Sequence, residues 1–292
     1  MIHKSLFWLM MIMMSSLVSS QIKGVVVDDY NKPIPYVNIW VENENNSTSS
    51  EENGTFLINC SPNKNLIFSA LGYEKKTVKA SESTSVILKI NAFELNEIVI
   101  SKRFESKLIE IGNVKNQTYQ AFESGPRIDA KFFPYLAKYK KTRYIKQVNF
   151  FTDSQLETAS FKIHLYSVNA DGSPGEELLN KDFLVSVKKG VKKTYFNVVD
   201  FNLKMPKNGL FVGFEKLIIE KNKLEKEVQD TSTGKTTIQK TYYPYVLYNF
   251  VEREFSYTFL GGIWNKQTRQ DVKNPSDKIN VYEPAINLIL TN

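Results

Sequence analysis

Apolar and polar residues alternate with a period of two in the clearest stretches of this chain. Val37, Ile39 and Val41 alternate with Tyr36, Asn38 and Trp40, and Phe161, Ile163 and Leu165 alternate with Lys162, His164 and Tyr166. Such alternation puts one set of side chains on a buried face and the other on a more exposed face, which is the mark of a half-buried strand. In the first third, strands are predicted at Ile22–Asp28, Pro35–Val41, Thr55–Cys60, Asn65–Leu71, around Val78, at Val86–Ile90 and at Leu95–Ile100. Turn chemistry separates them: Asp29–Pro33, the polar loop Glu42–Glu52, and Asn53-Gly54, a pair that tolerates positive φ. Short strands separated by turns about every 8–12 residues predict an antiparallel sandwich.

The same grammar returns further on. Strands are predicted at Ile145–Phe151, Ala159–Val168, Leu178–Val187, Lys193–Phe201, Val246–Phe250, Phe255–Phe259 and Ile286–Leu290. Leu210–Glu215 is nearly continuously apolar and suits burial on both faces. These strands predict a second, jelly-roll-like β-sandwich. Lys221–Tyr243 is a polar excursion, expected to be a protruding hairpin or a mobile loop, and the charged stretch Ser101–Asn116 reads as a linker. The expected organisation is therefore all-β: a signal segment at 1–20, a first sandwich at 21–100, a linker at 101–116 and a second sandwich at 117–292.

Composition changes this picture little. The chain has 292 residues, 42% of them apolar, and a formal net charge of +7. Met1–Ser20 looks like an export signal: Lys4 gives a basic start, Leu6–Met14 an apolar run, and Val18-Ser19-Ser20 leads to a cut at about Gln21. No later stretch is long and apolar enough to span a bilayer, so no transmembrane segment is expected after the signal is removed. The single cysteine, Cys60, cannot form an internal disulfide and is expected to be a buried strand residue. An exported chain of this size without disulfides fits a bacterial periplasm or surface.

Gly24-Val25-Val26-Val27-Asp28, Pro33–Ile39, Asn53-Gly54-Thr55-Phe56 and Phe68–Glu74 carry a resemblance. They resemble the carboxypeptidase-regulatory-like domain, of the type frequent in secreted proteins of Bacteroidetes. The resemblance implies a transthyretin-like Greek-key sandwich that serves as an accessory to other domains, and it does not imply carboxypeptidase activity. Glu94–Ile100 is similar to a segment that couples energy in outer-membrane transporters carrying this domain, but fewer than 200 residues follow it here, too few for a plug and barrel. It is read as a last strand leading into the linker. Phe161–Tyr166, Asp171–Leu178 and Asp200–Glu215 resemble a β-sandwich module that recurs after this domain in Bacteroidetes proteins, and more loosely the lectin-like and carbohydrate-binding jelly rolls.

Candidate chemistry is sparse. After export, His164 is the only histidine, and it sits mid-strand rather than on a loop beside a nucleophile. One histidine and one cysteine cannot build a nitrogen- or sulfur-ligated zinc site. Gly234-Lys235-Thr236 lacks the earlier glycine of a phosphate loop, because position 229 is Gln229. Asp153, Asn169, Asp171 and Asp200 could offer oxygen ligands to calcium, although turn chemistry explains the same residues. Basic residues interleave with aromatics over Asp129–Gln147. The export signal argues against nucleic acid there; the same mixture could meet an anionic glycan or lipopolysaccharide, while lysine stems lying over aromatic rings with their charges solvated account for the pattern more simply.

Exposed aromatics remain: Trp264, Tyr242, Tyr243 and Tyr245 are the candidate contacts to a glycan or a partner, with Trp40 and Tyr248 as further aromatics that could join them. No catalytic residue, cofactor or metal is assigned. The expected function is a non-catalytic binding or scaffold module of the cell envelope, with an unknown protein or glycan as its partner. The alternative is a carbohydrate-active hydrolase or glycan-binding protein using the second sandwich, and Glu215 with Glu254 would be the hydrolase's carboxylate pair.

Overall fold

The computed structural model describes residues 21–91, 106–113, 119–121, 127–229, 231–232, 234–253, 256–267 and 280–292. The protein is all-β and divides into two compact units, one ending at Ile90 and the other made of Leu71–Tyr73 and Asn91–Asn292. The predicted strand Leu95–Ile100 lies outside the described residues, as does the signal segment.

The first unit contains β1 (Gln21–Val27), β2 (Asn38–Val41), β3 (Ser47–Ser49), β4 (Thr55–Asn59), β5 (Asn65–Ser69), β6 (Lys76–Lys79) and β7 (Ser85–Ile87). They form a three-stranded sheet, β4-β1-β7, and a four-stranded sheet, β3-β2-β5-β6. Phe56 of the first sheet meets Phe68 of the second edge-to-face at 5.5 Å, so the two inner faces close on a shared core. Val26, Ile39, Leu66, Phe68, Val86 and Leu88 are buried in this unit, and so are Trp40 and Cys60.

The predicted strand Pro35–Val41 begins only at Asn38, because Tyr36 takes a positive φ of 55° and turns the chain. The Asn53-Gly54 turn forms as the residue types dictate: Gly54 has φ 76°, and Asn53 Oδ1 accepts the Thr55 N–H at 3.1 Å.

Gly24 shows why β1 can sit between its neighbours. A Cβ there would lie 2.1 Å from the Ser83 carbonyl oxygen and 2.7 Å from the Phe56 ring. Gly24→Ala must push β1 away from its surroundings, and overpacking of this kind costs about 1–3 kcal/mol. Urea unfolding of the first unit should show that loss, and a change within about 0.5 kcal/mol, the range of ordinary surface substitutions, would contradict the close approach.

The second unit contains β8 (Leu108–Ile111), β9 (Tyr119–Ala121), β10 (Ile128–Phe133), β11 (Tyr144–Val168), β12 (Pro174–Glu177), β13 (Phe183–Asn197) and β14 (Leu210–Lys216). It continues with β15 (Lys223–Gln229), β16 (Thr236–Tyr242), β17 (Tyr245–Glu252), β18 (Ser256–Leu260), β19 (Ile263–Gln267), β20 (Asn280–Pro284) and β21 (Ile286–Thr291). All but β15 and β16 join one twelve-stranded sheet.

Its spine is β11. Two strands were expected where this single 25-residue strand runs. The polar stretch between them, Ser154–Thr158, is a register shift against β13 and not a loop. The first half of β11 pairs with β21 and the second half with β14, while β13 follows both. Phe150 and Phe161 would stand roughly 35 Å apart on a straight strand. Their ring centroids are 5.2 Å apart, so the ribbon folds back on itself and its two halves face each other. Phe196 and Phe214 complete that aromatic centre, with Phe161 and Phe214 at 4.6 Å.

β13 is likewise one strand where Leu178–Val187 and Lys193–Phe201 were expected. Gly190, with φ 102°, sits at its register shift. Among the described residues β13 pairs only with β11, so Lys188, Lys189 and Lys192 guard a sheet edge against further pairing. Leu108–Ile111, placed in the linker by sequence, is a strand of this unit because its backbone pairs with β21. The polar excursion is an ordered hairpin, β15 against β16, with most of its residues exposed.

Candidate functional site

Two arrangements in the second unit concentrate chemistry: one joins β11, β12 and β14, and the other surrounds the end of β10. In the second half of β11 the apolar set Phe161, Ile163 and Leu165 faces the core, as the alternation predicts. Of the alternate set Tyr166 is half-buried, while Lys162 at 2% exposed and His164 at 8% are buried too. These polar residues remain inside because each meets an opposite charge. Lys162 Nζ lies 2.7 Å from Asp182.

His164 Nδ1 is 2.7 Å from Glu177 Oε2 of β12, and its Nε2 is 2.5 Å from Glu215 Oε2 of β14. Ionised carboxylates only accept hydrogen bonds, so both ring nitrogens donate and the ring is an imidazolium. Burial alone would lower the pKa of His164. The charges and hydrogen bonds of Glu177 and Glu215 outweigh burial and raise it from 6.5 to about 10. Glu177 is itself fixed, because its Oε1 accepts the Leu165 N–H at 2.8 Å. The imidazole stacks on Tyr166 with centroids 5.4 Å apart, and Trp264 meets Tyr166 edge-on at 5.2 Å. This triad is a closed structural ion cluster, with both histidine nitrogens already engaged.

The second arrangement is a cavity of about 460 Å³ around the C-terminal end of β10. β14 pairs with β10 through Phe133, whereas the ladder to β18 ends at Ala130 among the described residues. The end of β10 therefore outruns its neighbour, and both faces of the strand reach the space beyond. Phe132, Phe133, Phe211 and Tyr257 supply apolar walls. Phe211 stands between Phe132 at 5.1 Å and Tyr257 at 5.5 Å, which fixes the rings against each other.

The polar part of the wall is a buried charge cluster. Lys131 Nζ is 2.9 Å from Glu283 Oε1 and donates to the Gly112 carbonyl at 2.8 Å. Arg253 clasps Glu283 with two hydrogen bonds, Nε to Oε2 at 2.7 Å and Nη2 to Oε1 at 3.2 Å. The lysine side chain is 2% exposed and Glu283 7%, while Arg253 is 44% exposed and reaches the mouth. Burial lowers the pKa of Lys131, against the opposing pull of Glu283. Among the described residues of the wall, two cations, Lys131 and Arg253, face the one carboxylate of Glu283.

The aromatics singled out from sequence do not form one exposed platform among the described residues. Tyr243 is buried, and Tyr242 and Tyr245 are half-buried beside it, with Tyr243 and Tyr245 at 5.0 Å. Lys216 lies over the Tyr245 ring at 4.3 Å. Trp264 is half-buried on β19 against Tyr166 and Phe259. Trp40 and Tyr248 are buried, and Tyr248 donates to Asp129 at 2.6 Å.

Of the proposed carboxylate pair, Glu215 is buried against His164, and Glu254 lies outside the described residues. Asp171 accepts from the Ser173 N–H and hydroxyl, Asn169 donates to the Pro174 carbonyl, and Asp153 sits within β11. Asp200 stands in a short 3-10 turn. Gly234 occupies the β15–β16 turn with φ 68°. Among the described residues no group of three His, Cys, Asp or Glu side chains is placed to hold a metal, and no helix is long and apolar enough to cross a membrane.

Sequence reasoning places Lys131 only within the basic and aromatic stretch Asp129–Gln147, and misses Arg253, Glu283 and Glu177 as site residues. Their only sequence signal is a charge inside a strand-like run, as at Lys131 between Ala130 and Phe132.

No curated protein matches the chain. Residues 22–100 match the family model of the CarboxypepD_reg-like domain, a match that takes in the strands of the first unit, while the chain beyond residue 100 lies outside it.

Proposed function

We propose that the protein is an exported, non-catalytic binding or scaffold module of the bacterial cell envelope, with its ligand site in the second unit. The cavity at the end of β10 carries this reading. It is concave, mostly apolar and furnished with a few fixed polar groups, and its volume falls in the range of small-ligand sites, about 300–1,000 Å³. The histidine and the thiol are engaged or covered: His164 lies between two carboxylates, and burial raises the Cys60 thiol pKa. Export rests on the pattern of Met1–Ser20.

Two measurements test the reading. In a Gram-negative host producing the full chain, the protein should appear in the envelope fraction with its N terminus near Gln21. An intact Met1 terminus in the cytoplasm would overturn export. Incubated with envelope polysaccharides and peptides, the mature protein should retain a ligand without forming product. Release of new reducing ends or amines, abolished by Glu215→Gln, would overturn the non-catalytic part.

A further inference from the structure

We infer that the cavity at the end of β10 takes a small hydrophobic carboxylate, with the acid group at Lys131 and Arg253 and the tail among Phe132, Phe133, Phe211 and Tyr257. This rests on reading the second unit as a binding module and adds the class of ligand.

The argument is one of charge and shape. Among the described residues the buried Glu283 carboxylate faces two cations, Lys131 and Arg253, and an entering anion would balance the second of them. The donors have capacity left. An ammonium carries three N–H groups, and Lys131 uses two of them, on Glu283 and Gly112. Arg253 engages Glu283 through Nε and Nη2 and the Glu252 carbonyl through Nη1, which leaves further N–H groups on its terminal nitrogens. A carboxylate can accept from both residues at once. A cation would meet Lys131 and Arg253 head-on, and a neutral polar ligand would leave the aromatic walls without partners. The rings around Phe211 hold a fixed apolar surface that an aliphatic or aromatic tail can cover without reordering the site.

Titration of the mature protein with four probes tests this: decanoate, decanol, decyltrimethylammonium and acetate, followed by calorimetry and by amide NMR shifts. Decanoate should bind at least tenfold more tightly than decanol, and acetate and the cation should not bind measurably. Arg253→Gln should weaken decanoate by tenfold or more and leave decanol unchanged. That variant keeps the Lys131–Glu283 pair, and its circular dichroism and melting curve establish that it is folded. Ser256→Trp, which fills the cavity from its lining, should abolish decanoate binding.

Equal affinity for decanoate and decanol, or unchanged binding by Ser256→Trp, would overturn the inference. So would a lack of response to all four probes. None of these results bears on export or turnover, which the fractionation and product assays decide separately.

Discussion

Substituting His164 by glutamine should destabilise the second unit by about 3–5 kcal/mol, the usual cost of removing one partner from a buried ion cluster. The variant leaves Glu177 of β12 and Glu215 of β14 facing a neutral side chain in a buried site. Nearby charge offers little relief, because Lys162 on the same strand is already paired with Asp182, and Tyr166 stacks on the ring without contributing a cation.

The wild-type protein should also show a specific pH dependence. The folded-state pKa of His164 is raised from 6.5 to about 10. The stabilisation is therefore fully present below pH 6.5 and is lost as pH rises towards 10, with a slope of at most about 1.4 kcal/mol per pH unit. Urea unfolding at pH 6, 8 and 10 should give a wild-type-minus-variant difference that shrinks as pH rises. Parallel curves would mean that the imidazolium is not held by the two carboxylates.

The residues that were readable and those that were not divide along physical lines. Local chemistry showed through. Asn53-Gly54 turns where two residues tolerant of positive φ must turn, and Phe161, Ile163 and Leu165 face inward because alternate strand positions share a face. What depends on distant partners did not. Lys162 and His164 look like solvent-facing residues until Asp182, Glu177 and Glu215 are brought to them by β12, β14 and the segment before β13.

Polar stretches also misled. Gln155–Thr158 and Lys188–Lys192 have loop-like composition, yet they are the bend of a two-stranded ribbon and the guarded edge of a sheet. Leu108–Ile111 is too short to declare itself, and its pairing with β21 spans almost the whole second unit in sequence. The cavity was invisible for the same reason. Lys131, Arg253 and Glu283 come from β10, from the residue after β17 and from β20, and no spacing rule links them.

The fold-back of β11 makes the second large prediction. Phe150 and Phe161 are both fully buried, and each touches Phe196 and Phe214 as well as the other. Phe161→Ala should cost about 3–5 kcal/mol, the sum of lost transfer energy and the cavity left among rings that cannot all collapse into it. Phe150→Ala should cost a similar amount.

The informative quantity is their coupling. On a straight strand the two positions would be independent and their effects would add. Facing each other across the folded ribbon, they share one cavity. The double variant should then lose less than the sum of the singles, by about 0.5–3 kcal/mol. Because both units hold tryptophan, Trp40 in the first and Trp264 in the second, hydrogen exchange on β11 and β13 peptides is the suitable readout rather than total fluorescence. Additivity within about 0.3 kcal/mol would place Phe150 and Phe161 apart and dismantle the folded-ribbon core on which the β10 cavity is built.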